Sequence, residues 1–258
     1  MENTLFEIAY QMIEKSKYLV ALTGAGISVE SGIPTFRGPE GLWTKYDPQT
    51  YAGIDGFLNN PERSWDFFYS FYEMLLKANP NAAHLALAKM EKINALKYTI
   101  TQNIDGLHHA AGQQRVIEIH GSMQNLICLT CKRKWNSQGI LFGSSDTPPL
   151  CECGGVLKPD AVLFGESLPL EVFFEALEQI RLADVLLLVG TSGLVHPVNE
   201  FPEIAVRHGA RIIEINPEKT FLTDHHETIH LQGSAKEILT LVTSRLIGSA
   251  KNQLENDR

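Results

Sequence analysis

Several groups of side chains in this 258-residue sequence have the types and spacing that chemistry requires. His120 ends an apolar run, 116–119, and is followed by Gly121. A histidine titrates near neutrality, so it can take a proton from a hydroxyl and hand it on. A second run, 98–101, leads into Gln102-Asn103-Ile104-Asp105. A third leads into Gly24-Ala25-Gly26, where glycines permit close backbone approach and a following helix start could offer N–H groups to a pyrophosphate. The third glycine of a dinucleotide fingerprint is absent, since Val29 stands there, and no acidic residue closes the next strand. A tight turn without a ligand is the alternative reading of these glycines taken alone.

Four cysteines form another group: Cys128, Cys131, Cys151 and Cys153. Four thiolates suit a closed tetrahedral zinc site with no position left open for catalysis. The second pair is spaced by one residue where two are usual, and Gly154 and Gly155 permit the tighter turn. Two disulfides would suit a small secreted domain; this chain is larger and pairs its thiols closely, so one structural Zn2+ is expected. Unliganded or redox-active thiols are the alternative. A lone histidine is more often a satisfied core or surface residue than a ligand. His84, His108, His109, His208 and the group His225, His226 and His230 are read that way.

These groups need a scaffold. Runs at 18–22, 98–101, 116–119, 185–189, 211–215 and 228–231 read as short buried strands. Apolar stripes between them read as helices: Leu5, Ile8, Met12 and Ile13; Leu85, Ala88 and Met90 behind an Asn81 cap; Phe173, Phe174, Leu177 and Ile180; Ile238, Leu239, Val242 and Leu246. Alternating strands and helices imply an α/β fold with a mostly parallel sheet covered on both faces. Ligands of such sheets bind beyond the carboxyl ends of the strands. Five of the runs end there in small or polar residues, among them Gly190-Thr191-Ser192 and Asn216-Pro217.

Two stretches break the alternation. Residues 41–79 are rich in aromatics and read as a helical insert; 123–159 hold the cysteines and read as a zinc module. The remainder, 1–40, 80–122 and 160–248, forms the main domain, and 249–258 is expected to fray. The net charge of −8 argues against nucleic-acid binding and is compatible with basic peptide partners. No apolar run reaches the ~18 residues of a membrane span. Residues 1–16 carry Glu2, Glu7 and Glu14, which suits neither a secretory nor a transit sequence, so a cytoplasmic protein is expected.

The segment Gly24-Ala25-Gly26-Ile27-Ser28-Val29-Glu30-Ser31-Gly32-Ile33-Pro34-Thr35-Phe36-Arg37 resembles the opening motif of the sirtuin family. Thr101-Gln102-Asn103-Ile104-Asp105-Gly106-Leu107-His108, His120-Gly121-Ser122, Phe164-Gly165-Glu166, Gly190-Thr191-Ser192 and Asn216-Pro217 are similar to its later motifs, in order. The resemblance implies a Rossmann-like domain with a small domain made of the helical insert and the zinc module. It implies an NAD-dependent protein-lysine deacylase releasing nicotinamide, O-acetyl-ADP-ribose and free lysine, acting on acetylated proteins or peptides as a monomer. It also implies roles. Gly24, Ala25, Gly26, Glu30, Thr35, Phe36 and Arg37 would bind NAD, with Phe36 shielding the anomeric carbon. Gln102 would meet the nicotinamide ribose, Asn103 and Asp105 would line the nicotinamide pocket with Asp105 on the carboxamide, and Ile104 would bind NAD beside them. Gly190, Thr191, Ser192, Asn216, Pro217 and Ala235 would bind NAD as well, the adenosine half resting on Ser192, Asn216 and Ala235. Val162, Phe164 and Gly165 would pair with the substrate backbone as an added strand.

The reaction agrees with the residues. Breaking the nicotinamide–ribose bond develops oxocarbenium character, the acyl oxygen captures that carbon, and a base must then activate a ribose hydroxyl; His120 is the expected base, with Asn103 beside it. Sirtuins that accept acidic acyl groups carry Tyr-x-x-Arg, and Tyr69-Ser70-Phe71-Tyr72 is aligned with it here, so Tyr69 and Tyr72 are expected at the acyl pocket. Without the arginine a succinyl carboxylate lacks its bidentate partner. Deacetylation, extending to longer apolar acyl groups, is expected, with poor desuccinylation. The competing readings are a protein mono-ADP-ribosyltransferase and a non-catalytic NAD-sensing zinc protein. A hydride-transfer dehydrogenase fits worst.

Overall fold

The computed structural model describes residues 2–39, 41–138, 147–224 and 227–256. Helix α1 (Glu2–Lys15) leads into β1 (Leu19–Thr23), the centre of a six-stranded parallel sheet. Its other strands are β2 (Leu96–Thr101), β3 (Val116–Glu118), β7 (Val185–Val189), β8 (Arg211–Asn216) and β9 (Ile229–Gln232), in the order β3-β2-β1-β7-β8-β9.

Strand β7 is buried at every position, as a central strand covered on both faces must be. Alternate residues serve opposite cores. Leu19, Ala21, Leu187 and Ile213 pack with Ala9, Met12, Leu87 and Leu239 on one face. Val20, Leu22, Leu188 and Ile212 pack with Ala176, Ile180 and Phe201 on the other. The chain reverses around β1, with β2 on one side and β7 on the other, so the carboxyl ends of these strands open a crevice at that point.

Asn81 caps the helix Ala82–Lys92, its side chain accepting the Ala83 N–H at 2.8 Å. The third helical residue, His84, answers through Nδ1, which accepts the Asn81 N–H at 3.3 Å.

The aromatic stretch folds as three short-to-medium helices, Pro48–Ala52, Ile54–Asn59 and Pro61–Lys77. Asp47 and Asn60 cap the first and third, and each has proline at its first turn. The cysteine region builds an antiparallel sheet of β4 (Gly121–Cys128), β5 (Lys134–Asn136) and β6 (Leu157–Ala161). The two inserts share one core, in which Trp65, Phe57, Phe68 and Phe71 pack with Met123, Leu126 and Leu157. Trp65 Nε1 donates to the Leu157 carbonyl at 3.0 Å, which joins helix to sheet and satisfies a buried donor.

Two expectations need correction. The segment after Gly24 is a 3-10 helix, Ala25–Ser31, ended by Gly32 in the left-handed region at φ 87°. Pro34 follows and prevents renewal, so only a seven-residue turn stands where a helix dipole was expected. The zinc sheet is wider than 123–159, since Gly121 pairs with Ala161. The last helix, Ala235–Asn256, runs into the segment expected to fray.

Candidate active site

The strand ends are knit together by backbone bonds. Gly24 N–H donates to the Val189 carbonyl at 3.0 Å, Gly26 N–H to Gly190 at 2.9 Å and Gln102 N–H to Thr23 at 2.9 Å. This explains the glycines. A Cβ on Gly26 would lie 2.7 Å from the Gly190 Cα, and one on Gly24 would lie 2.8 Å from the Gly190 oxygen. The Gly24-Ala25-Gly26 turn is therefore built first for packing against β7.

A cleft of about 1210 Å³ opens above this rim. Gly24, Ala25, Gly26, Gln102, Asn103 and Ile104 form its floor near β1 and β2. Gly190, Thr191, Ser192, Asn216, Pro217 and Ala235 extend the wall past β7 and β8. Glu30, Thr35, Phe36 and Arg37 bound it on the loop that leaves the 3-10 helix. Phe36 stacks on Trp43 with ring centroids 5.3 Å apart, so this loop rests on the aromatic insert.

His120 lines the cleft, and its Nδ1 lies 3.1 Å from the Gln102 carbonyl oxygen. Since a carbonyl only accepts, Nδ1 carries the proton and Nε2 keeps its lone pair. Burial lowers the His120 pKa, and the bond to Gln102 offsets part of that shift. The ring is thus a neutral base at neutral pH. The Gln102 side chain is held in turn, its Nε2 donating to Thr191 Oγ1 at 2.8 Å.

Asn103 is buried, and its Nδ2 donates to the Gly24 carbonyl and to Ser28 Oγ, both at 3.1 Å. Ser28 Oγ donates to Asp105 Oδ2 at 2.7 Å. The other Asp105 oxygen accepts the Leu107 N–H at 2.9 Å. Asp105 lies behind Asn103 and does not line the cleft in this conformation. Behind Ser28, His84 Nε2 approaches at 3.5 Å, and the His84 and His108 rings meet edge to face at 5.0 Å. Burial lowers the His108 pKa, and burial followed by the neighbouring His108 lowers that of His84 to about 3.

Val162, Phe164 and Gly165 line the cleft beside His120. Val162 N–H donates to the His120 carbonyl at 2.8 Å. Phe164 bridges to the helical insert, accepting the Ile54 N–H and donating to Ala52, each at 2.9 Å. The residues expected at the acyl pocket stand outside the cleft lining. Tyr69 and Tyr72 do not line the cleft; Tyr69 Oη donates to the Thr147 carbonyl at 3.1 Å and Tyr72 is buried in the core of the insert. Phe67, Phe68 and Phe71 are the residues of that helix on the cleft wall.

The four cysteine sulfurs lie within 4.8 Å of one another, with Cys128 Sγ 3.6 Å from Cys153 Sγ and Cys131 Sγ 3.7 Å from Cys151 Sγ. These are not disulfides, whose sulfurs stand about 2.05 Å apart. Ligands about 2.3 Å from one tetrahedral zinc would stand roughly 3.8 Å from each other, and the donor set fits that geometry. The narrow Cys151/Cys153 spacing is accommodated by a turn in which Gly154 N–H donates to Cys151, with Gly154 at φ 81°. His225 and His226 lie outside the described residues, and His230 Nε2 sits 3.1 Å from the Asn216 carbonyl.

Sequence reasoning passed over Ser28, His84 and His108 as site residues. Ser28 lies inside the glycine turn segment, so its position was the available signal. The two histidines are local in sequence to a cap and a short helix, and only the tertiary fold brings them behind Asn103.

Residues 24–197 match the Sir2 family. The NAD-dependent protein deacetylase 1 of Pyrobaculum aerophilum is 41% identical over 95% of this chain and 96% of its own. The NAD-dependent protein deacylase 2 of Archaeoglobus fulgidus is 43% identical over 95% of this chain and 97% of its own. A solved Sir2 mutant bound to a deacetylated p53 peptide and 3'-O-acetyl ADP-ribose superposes with a TM-score of 0.86, at 34% identity, covering 93% of this chain and 98% of that one.

Proposed function

Because this chain belongs to the Sir2 family, we propose that the cleft above β1, β2 and β7 performs that family's reaction with the residues just placed there. The protein is an NAD-dependent protein deacylase. It moves an acyl group from a lysine side chain to ADP-ribose, giving nicotinamide, O-acetyl-ADP-ribose and free lysine. Its partners are proteins or peptides carrying acylated lysine.

His120 is the general base. The supporting observation is its tautomer: Nδ1 is committed to Gln102, so Nε2 is the atom that can accept a ribose proton. NAD, when bound, supplies the electrophilic sugar carbon and the nicotinamide leaving group. Gln102 holds the nicotinamide ribose; Asn103, Ile104 and Asp105 form the nicotinamide pocket. Asp105 would have to exchange its bond to Ser28 for one to the carboxamide. Ser192, Asn216 and Ala235 hold the adenosine half, and Arg37, Lys219 and Lys236 place positive charge on the cleft wall for the pyrophosphate. Phe36, already stacked on Trp43, is placed to cover the sugar and exclude water. Val162, Phe164 and Gly165 take the peptide as an added strand.

Cys128, Cys131, Cys151 and Cys153 hold one structural Zn2+, which fixes the small sheet and takes no part in the reaction. Acetyl and longer apolar acyl groups suit the aromatic wall of Phe67, Phe68 and Phe71, and succinyl does not, since none of these three pairs with a carboxylate. The protein acts as a cytoplasmic monomer without nucleic acid. Its net charge of −8 supports the last point, and among the described residues no helix is long and apolar enough to cross a membrane.

The test is incubation with NAD and an acetyl-lysine peptide, with products followed by mass spectrometry and His120→Ala as control. Acetyl-ADP-ribose and nicotinamide, both lost in the variant, are expected. Nicotinamide release with ADP-ribose on protein and no deacetylated peptide would replace the deacylase with an ADP-ribosyltransferase.

A further inference from the structure

Lys158, on β6, is a buried cation, only 5% exposed. An isolated ammonium in a protein interior is costly, and this one is fully engaged. Its Nζ donates to the Ala161 carbonyl at 2.7 Å, the Pro159 carbonyl at 3.1 Å and Glu166 Oε2 at 2.9 Å. The same Glu166 oxygen accepts the Leu163 N–H at 2.8 Å. Glu166 N–H returns to the Leu163 carbonyl at 3.0 Å, across Gly165 in the left-handed region at φ 89°.

Replacing a buried ion pair with apolar side chains often leaves a fold as stable or makes it more so. What an ion pair supplies that apolar packing does not is a fixed set of directions. Here every bond lands on one segment, 159–166, and that segment carries the substrate edge. Its other anchors lead to the site. Val162 N–H holds the His120 carbonyl, and Phe164 is bridged to the helical insert through Ala52 and Ile54. A shift of this segment would therefore change the distance between a bound peptide and the base.

We propose that Lys158 and Glu166 are positioning residues for the acyl-lysine peptide: their ion pair, buried on the lysine side, locks the edge formed by Val162, Phe164 and Gly165 in register with His120. The inference rests on the deacylase reading and on the peptide edge within it. The pair contacts the substrate edge and makes no hydrogen bond to the walls assigned to NAD, so its removal should separate the two substrates kinetically.

The experiment is steady-state kinetics of the full chain with NAD and an acetyl-lysine peptide, each varied in turn, with thermal unfolding of every variant. Lys158→Met is expected to raise the peptide KM about tenfold while the NAD KM stays within about twofold. Lys158→Arg should recover part of the loss, because guanidinium can meet Glu166 but its planar fork cannot reproduce all three contacts. Glu166→Gln keeps an acceptor for Leu163 N–H and removes the charge; it should raise the peptide KM in the same direction, and it decides the matter if Lys158→Met does not fold. Folded variants whose peptide KM stays within about twofold of wild type, or whose NAD KM rises in step with the peptide KM, would overturn the proposal and leave the deacylase reading intact. A wild-type chain that does not turn over the peptide would overturn both.

Discussion

His120 Nδ1 and the Gln102 carbonyl oxygen stand 3.1 Å apart, so one backbone atom fixes both the tautomer and the ring orientation of the base. The reactive form is the neutral ring, and burial holds its pKa below the ordinary 6.5. Deacetylation should therefore be flat on the alkaline side of neutrality and fall only as acid protonates Nε2. A kcat/KM profile with its acid midpoint below 6.5 is expected. His120→Ala should lower kcat by about 10²- to 10⁴-fold, with NAD affinity kept. A rate that rises as pH falls from 7 to 5 would be inconsistent with a neutral base.

The acyl wall gives a second test. Phe71 and Phe68 line the cleft, whereas Tyr69 points its hydroxyl to Thr147. Tyr69→Phe should leave deacetylation kcat/KM within about twofold, because the hydroxyl bond to Thr147 lies away from the cleft. Phe71→Ala should lower it and also reduce stability by about 3–5 kcal/mol, since that ring is 2% exposed. Succinyl peptide should be turned over at least about 100-fold less efficiently than acetyl peptide, the size expected when a charged group is desolvated without a partner. Comparable rates on the two peptides would overturn this reading of the acyl wall.

These two sites differ in how far the sequence discloses them. Strand β7 could be delimited from its residues because five consecutive apolar side chains, Val185 to Val189, can only be buried on both faces. His120, Asn103 and the cysteines were legible because motif order and ligand spacing are local properties. The acyl wall was not. Phe67, Phe68, Tyr69, Phe71 and Tyr72 are nearly continuous aromatics on one helix, so hydrophobic periodicity cannot set which edge faces the cleft. One residue along a helix turns a side chain by about 100°, which separates Tyr69 and Tyr72 from the lining residues Phe68 and Phe71. The role of Gly26 was likewise hidden, because it depends on Gly190, a residue far along the chain.

The four sulfurs make a third prediction. The purified protein should contain one zinc per chain, released by a strong chelator or by Cys153→Ser. Helix Pro61–Lys77 and the sheet β5-β4-β6 share a core with Cys128 and Cys151, so metal loss should disorder the small domain before the parallel sheet. Metal content, hydrogen exchange and deacetylation measured on the same sample would check this. Full activity at zero zinc would refute a structural metal.

The buried histidines predict the acid stability of the fold. His84 Nδ1 accepts the Asn81 N–H, so Nε2 bears the proton and faces Ser28 Oγ, which itself donates to Asp105. His108 is bonded on both sides, with Nδ1 donating to Gln113 Oε1 at 2.7 Å and Nε2 at 2.9 Å from Thr23 Oγ1. The His84 ring is satisfied only when neutral, because Nδ1 must accept from Asn81, and burial lowers both pKa values, that of His84 to about 3. Between the ordinary 6.5 and about 3 the unfolded chain holds a proton at His84 that the folded chain lacks. Stability therefore falls as pH falls through that window and is fully present above it. The slope is up to about 1.4 kcal/mol per pH unit for each such histidine. Urea midpoints at pH 7 and pH 5 should show the loss. His84→Gln, whose carbonyl can still accept from Asn81, should show a shallower one by roughly one proton. Comparing the two proteins cancels any common effect of acid on the cysteine site. Equal slopes in wild type and variant would mean that His84 is charged or solvated in the folded state, and the neutral Asn81–His84–Ser28–Asp105 chain would have to be abandoned.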